Sequence, residues 1–99
     1  MKSCGKEEDW ELFIKLCMQL KTKKQHLEFF DFFLTAEERS ALGLRIALIK
    51  ELLQEQKTQR EIAAELKTSI AKITRGSNCL KTISDGLKRF LKRYLLSLN

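Results

Sequence analysis

No proline interrupts the 99 residues, and glycine occurs only four times. A chain without proline lacks the strongest helix breaker and a common turn former, so helices are favoured over a sheet full of turns. The apolar pattern agrees. Trp10, Phe13, Ile14, Cys17 and Leu20 recur at three- and four-residue steps, which predicts an amphipathic helix over about 7–21. Thr22-Lys23-Lys24 interrupts it, and the dense apolar segment from Leu27 to Leu34 predicts a short helix. Phenylalanine and leucine so concentrated are hard to bury in one small chain. A second subunit is the natural cover.

Capping signals divide the remainder. Thr35-Ala36-Glu37-Glu38 reads as a capping box opening a long helix over 36–54, with Ala41, Leu42, Ile46, Ile49, Leu52 and Leu53 as its buried stripe. Thr58-Gln59-Arg60-Glu61 is a second box, opening a short helix to about Leu66. Ser69 caps a helix over 70–81, and Ser84 caps the last one. In that last helix Leu87, Phe90, Leu91, Tyr94, Leu95 and Leu98 make one apolar face, with Lys88, Arg89, Lys92 and Arg93 largely outside it. The expected fold is all-α with six helices, in one domain without an internal repeat or linker. Residues 1–57 would form core helices, 58–82 a separate pair, and 84–98 a C-terminal core helix.

Charge is unevenly distributed. Residues 1–38 carry six basic against eight acidic side chains, and residues 39–99 carry thirteen against five. From Leu66 onward eight Lys and Arg face the single Asp85. A basic C-terminal third suits phosphate or another polyanion, and equally a solvated face. The cysteines Cys4, Cys17 and Cys79 are odd in number and scattered, which argues against a disulfide framework. His26 is the only histidine, so no metal site is expected. The chain shows no signal-peptide run and no apolar stretch near the ~20 residues of a membrane span, so a cytoplasmic location and no membrane partner are expected. No nucleophile–base pair or carboxylate dyad offers a catalytic site, so an enzyme is not expected.

The segment from Thr58 to Arg75 has the layout of a helix-turn-helix. Two capped helices flank Lys67-Thr68-Ser69, Ile62, Leu66, Ile70 and Ile73 supply the contact between them, and Ala63 permits a close crossing. The second helix would expose Ala71, Lys72, Thr74 and Arg75, a mixture suited to a major groove. A purely structural helix hairpin would share the pattern. Lys67 stands where such turns usually place glycine, because the residue there takes positive φ; lysine should cost around 1 kcal/mol.

Two arginines lack helix-face partners. Arg45 has Ala41, Leu42, Leu48 and Ile49 at its i±3 and i±4 positions, and Arg75 has Ala71, Lys72, Asn78 and Cys79. Neither neighbourhood offers a carboxylate. Each arginine either snorkels into water or meets something planar or anionic from elsewhere.

The runs Leu34-Thr-Ala-Glu-Glu-Arg-Ser-Ala-Leu-Gly43, Glu51-Leu-Leu53, Gln59-Arg-Glu61 and Ile73-Thr-Arg-Gly-Ser-Asn78 resemble the tryptophan repressor family. The correspondence runs ungapped from about Phe33 to Leu96, while the N-terminal third matches in pattern only, with Trp10 as its anchor. The resemblance implies an intertwined homodimer of six-helix subunits, with 1–57 and 84–98 as dimer core and 58–82 as a DNA-reading head. It implies L-tryptophan as corepressor, its indole held between Arg45 and Arg75. Arg75 also takes the carboxylate, with help from Thr35. Backbone carbonyls near Phe32, Leu34 and Thr35 of the second subunit would receive the ammonium, and Leu48 and Gly76 would line the pocket. Cys79 stands where the family faces the ligand with serine. Contacts to double-stranded operator DNA would come from Gln59, Arg60, Ile70, Ala71, Thr74 and Lys81. Lys72, in place of a family threonine, is expected to reach a DNA phosphate. The implied activity is tryptophan-activated repression of genes for tryptophan synthesis or acquisition.

Two other readings compete. One is a peripheral membrane or polyanion-binding protein using the basic 88–93 face. The other is a helix-turn-helix regulator without tryptophan control.

Overall fold

The structure, a computed structural model, describes residues 6–97; Cys4 and Leu98 lie outside the described residues. Six helices follow one another: α1 (Lys6–Gln19), α2 (Lys23–Phe33), α3 (Ala36–Gln54), α4 (Gln59–Leu66), α5 (Ile70–Leu80) and α6 (Asp85–Leu96). Among the described residues there is no strand, so the fold is all-α. The chain divides into two compact units, one ending at Glu37 and one beginning at Glu38.

The first unit is organised around aromatic rings. Phe13 of α1 stacks on Trp10 at 5.7 Å between centroids and meets Phe29 at 5.5 Å and Phe33 at 5.6 Å on α2. The tilted and edge-on geometries are those that aromatic quadrupoles favour. Thr22, read from sequence as an interruption, is the N-cap of α2: it accepts from Gln25 N at 3.1 Å while Gln25 Oε1 accepts from Thr22 N at 3.1 Å. Threonine followed three residues on by glutamine is a reciprocal capping box, so α2 begins at Lys23, earlier than its apolar run suggests. No residue of α2 is buried, and Phe32 is 81% exposed.

In the second unit Leu48, Ile62, Ala63 and Ile73 form the core, with Leu44, Ile49, Leu52 and Leu66 packed against it. The core joins α3 to the α4–α5 pair. α3 follows the expected bounds, and its buried side matches the expected stripe in part, at Leu53, which is buried, and at Ile49 and Leu52, which pack against the core. Leu48 and Leu53 are buried, whereas Ala41, Leu42 and Ile46 are exposed. The reason is that α3 is apolar on two sides. Leu44, Leu48 and Leu52 form one i, i+4 row and Leu42, Ile46, Ile49 and Leu53 another; the α4–α5 pair packs on the first and on Ile49 of the second, and the N-terminal part of the second row stays exposed.

The helix-turn-helix geometry follows the sequence signals. Thr58 caps α4 with Glu61 closing the box, and Ser69 caps α5 by accepting from Lys72 N at 3.2 Å. Lys67 ends α4 at φ 56° and ψ 48°, the left-handed conformation its position demands. Ile70, expected in the contact between the two helices, is 46% exposed. It opens α5, and the core beside Ile62 and Ile73 is completed by Leu48 of α3.

A second left-handed residue, Glu55 at φ 54°, ends α3. Lys57 then ties the connection to both helices, with its ammonium against Glu65 of α4 and 3.2 Å from Glu51 of α3. The hydrogen bond from Lys57 to Glu65, followed by the Glu51 carboxylate, holds the lysine above its ordinary range. Glu51 Oε1 is itself buried, so the Lys57 ammonium is the opposite charge that faces it. In α6 the expected apolar face is present, but Leu87, Phe90 and Tyr94 remain exposed and no residue is buried. Among the described residues no helix is long and apolar enough to cross a membrane, and no cluster of His, Cys, Asp and Glu could hold a metal ion.

Candidate ligand cavity and nucleic-acid interface

A cavity of about 280 Å³ opens between α3 and α5. From α3 it is lined by Ala41, Leu44, Arg45, Leu48 and Ile49, and from α5 by Lys72, Arg75, Gly76 and Cys79. The spacing explains the grouping. Residues 41, 45 and 49 recur every fourth position on one helix, and 72, 75, 76 and 79 share one face of the other. Its volume falls near the lower end of small-molecule sites, which run from about 300 to 1,000 Å³.

Gly76 sets how closely the two helices approach. A Cβ there would stand 2.5 Å from Leu48 Cδ1 and 3.5 Å from Leu52 Cδ1. Only a residue without a side chain leaves Leu48 in its present rotamer. Glycine therefore serves close approach here, since its φ is not positive.

The walls combine apolar carbon with cations. Arg45 and Arg75 face the same space from different helices, although they lie far apart in sequence. Among the described residues neither forms an ion pair. Five of the eight residues named from sequence for the ligand line the cavity: Arg45, Leu48, Arg75, Gly76 and Cys79. Phe32, Leu34 and Thr35 belong to the first unit. The sequence reading missed Ala41, Leu44 and Ile49 as cavity residues, and it assigned Lys72 to DNA alone. The signal was available in the helical spacing, since Ala41 and Ile49 lie four residues either side of Arg45 and Lys72 lies three before Arg75.

The other side chains named for DNA are displayed by α4 and α5. Arg60, Ile70, Ala71, Lys72 and Thr74 are exposed, as is Lys81 at the C-cap of α5. Gln59 is half-buried and accepts a hydrogen bond from the Thr74 hydroxyl at 2.8 Å. An exposed helix opened by a capped N-terminus, carrying cationic and hydrogen-bonding groups, is the kind of element that enters a major groove.

Comparison with known proteins agrees with this geometry. The profile of the family described as "Trp repressor protein" matches residues 8–95. A "Trp operon repressor homolog" of Chlamydia caviae is 48% identical over 86 residues, covering 87% of this chain and 85% of that protein. One of Chlamydia trachomatis serovar D is 40% identical over 87 residues, covering 88% and 93%. One of Haemophilus influenzae strain PittEE is 38% identical over 88 residues, covering 89% and 87%. The profile match takes in α1 and α2, where the sequence reading found similarity of pattern only.

Proposed function

The chain belongs to the Trp repressor protein family, and from that premise we propose that it is a transcriptional repressor whose homodimer grips operator DNA when L-tryptophan occupies the α3–α5 cavity. The family is a regulatory, DNA-binding one and not enzymatic. The observation that carries the reading is that Arg45 and Arg75 line one apolar-walled cavity directly behind the helix α5 that carries the DNA-facing side chains.

The cavity suits the ligand physically. An indole presents two π-faces, and a guanidinium plane on each side offers stacking and cation–π attraction. Leu44, Leu48 and Ile49 supply apolar surface for the ring edge. Arg75 can also form a charge-assisted hydrogen bond to the ligand's carboxylate. Thr35 would help Arg75 with the carboxylate, and backbone carbonyls near Phe32, Leu34 and Thr35 of the second subunit would receive the ammonium. Cys79 presents a thiol, a weak acceptor, to the same ligand.

Activation follows from where the cavity lies. A ligand wedged between α3 and α5 contacts the head and its support together, so it favours the head positions in which its contacts are complete. Its effect on DNA affinity equals its preference for that state over the others. Two heads in a two-fold dimer must fall about one DNA turn, roughly 34 Å, apart, a general requirement of helix-turn-helix dimers for which this family is itself a standing example. Gln59, Arg60, Ile70, Ala71, Thr74 and Lys81 are the proposed DNA contacts. The exposed apolar residues of α2 and α6 are the proposed dimer surface.

The test is a mobility shift on DNA from the gene's own upstream region, with and without L-tryptophan. Retardation is expected only with tryptophan, and Arg75→Ala should lose the tryptophan response while remaining folded. Binding that ignores tryptophan in the wild-type protein would leave a helix-turn-helix regulator without this control.

A further inference from the structure

The cavity is lopsided in charge. Three of its lining side chains end in cations, Arg45, Lys72 and Arg75, and none is acidic. Among the described residues none of the three forms an ion pair, so their mutual repulsion is relieved only by solvent or by a ligand. The tryptophan reading employs two of them, as stacking planes and as the partner of a carboxylate. It leaves Lys72 without a task in the cavity.

A third cation has a definite electrostatic consequence. Lys72 precedes Arg75 by three residues on α5, so its stem rises from the same face. Its ammonium attracts a carboxylate lodged beside Arg75. For a zwitterion that gain is offset, because the ligand's ammonium is repelled at nearly the same range. For an aromatic carboxylate lacking the ammonium there is no offset. We propose that Lys72 is a charge-selecting residue of this cavity, tilting it toward aromatic carboxylates that carry no ammonium group. The assignment rests on the reading of the α3–α5 cavity as the ligand site.

Lys72→Met keeps the length and flexibility of the side chain and removes its charge, so it separates electrostatics from packing. The experiment is titration calorimetry of the full-length wild-type and Lys72→Met proteins with three probes: indole-3-propionate, its neutral isostere indole-3-propionamide, and L-tryptophan. No DNA is present, so a phosphate contact by Lys72 does not enter the measurement. For a partly exposed charge pair the substitution should weaken indole-3-propionate by about fivefold to tenfold, a loss that shrinks as salt is raised. The amide should be unaffected, and L-tryptophan should change by less than about twofold, its two charges offsetting each other. Equal losses for all three probes would make Lys72 a packing residue, and an unchanged affinity for indole-3-propionate would remove it from the site; either overturns the proposal while leaving the tryptophan reading intact. If the wild-type protein binds none of the probes, the cavity reading itself fails and the proposal with it.

Discussion

Thr74 of α5 donates its hydroxyl to Gln59 Oε1, the first residue of α4, at 2.8 Å. The bond joins the two helices of the head at the face they display. It also orients both side chains: the Gln59 carbonyl is engaged, so its amide NH2 is the group left to donate, while the Thr74 oxygen keeps lone pairs to accept. The head thus presents a joined pair where the sequence offered two separate polar residues.

Removing the donor without changing the shape isolates this bond. Thr74→Val should destabilise the fold by only about 0.5 kcal/mol, because the bond lies at an exposed site where Gln59 can turn to water. Operator binding should suffer more, by roughly fivefold to tenfold, since Gln59 then loses its fixed orientation. A double-mutant cycle with Gln59→Ala, read by operator affinity, should be non-additive. Strict additivity would mean that the two residues act independently on DNA.

Lys67 gives a prediction of opposite sign. A side chain at φ 56° pays the left-handed penalty, which glycine avoids. Glycine also loosens the unfolded chain, which offsets part of the gain. Lys67→Gly should therefore stabilise the protein by about 0.5–1 kcal/mol in urea unfolding, with an unchanged m-value. A loss of stability would show that the lysine side chain contributes more through its surroundings than its backbone strain removes.

The oligomeric state follows from what one chain leaves uncovered. Trp10, Met18, Leu27 and Phe32 are each more than half exposed, and Phe90 and Tyr94 lie tilted against one another, 5.0 Å between centroids, on an exposed face of α6. Large apolar side chains left open in this number mark an interaction surface. Sedimentation equilibrium at low micromolar concentration should give about twice the 11.6 kDa chain mass, without tryptophan as well as with it. A well-folded monomer with the full helical signal would refute the dimer.

How much of this was legible in the sequence depended on whether a local rule decided it. Thr58 with Glu61, Ser69 and Ser84 are capping signals that act within four residues, and they marked the starts of α4, α5 and α6. The same kind of signal at Thr22 and Gln25 was passed over, because the lysines between them resembled a break. The buried side of α3 was legible at Ile49, Leu52 and Leu53 but not at Leu48, since periodicity finds apolar rows but cannot choose between two of them. The arginine pair could be suspected from missing partners, yet that Arg45 and Arg75 line one cavity is a tertiary fact. So is the Thr74–Gln59 bond, and so is the presence of Lys72 in the cavity wall. Each depends on the crossing of separate helices, which the close approach at Gly76 helps to set.

That close approach can be tested directly. An added Cβ at Gly76 would meet Leu48 Cδ1 at 2.5 Å, well inside contact distance, and Leu48 is both a buried core residue and a wall of the cavity. Either Leu48 changes rotamer or α5 moves off α3. Overpacking of this kind costs typically 1–3 kcal/mol, and the better helix propensity of alanine returns at most about 1 kcal/mol. Gly76→Ala should therefore destabilise the protein by roughly 0.5–2 kcal/mol net, and tryptophan binding should weaken by more than tenfold because Leu48 or α5 shifts at the ligand's edge. The clash predicts its own relief. Leu48→Ala deletes the struck atom, and although it costs about 2–5 kcal/mol alone, its combination with Gly76→Ala should be less destabilising than the two losses added together. A coupling of about 1 kcal/mol in that direction, read from urea unfolding of the four proteins, would place the strain at this contact. Additive losses would mean that Gly76 matters for some reason other than the approach of α5 to Leu48.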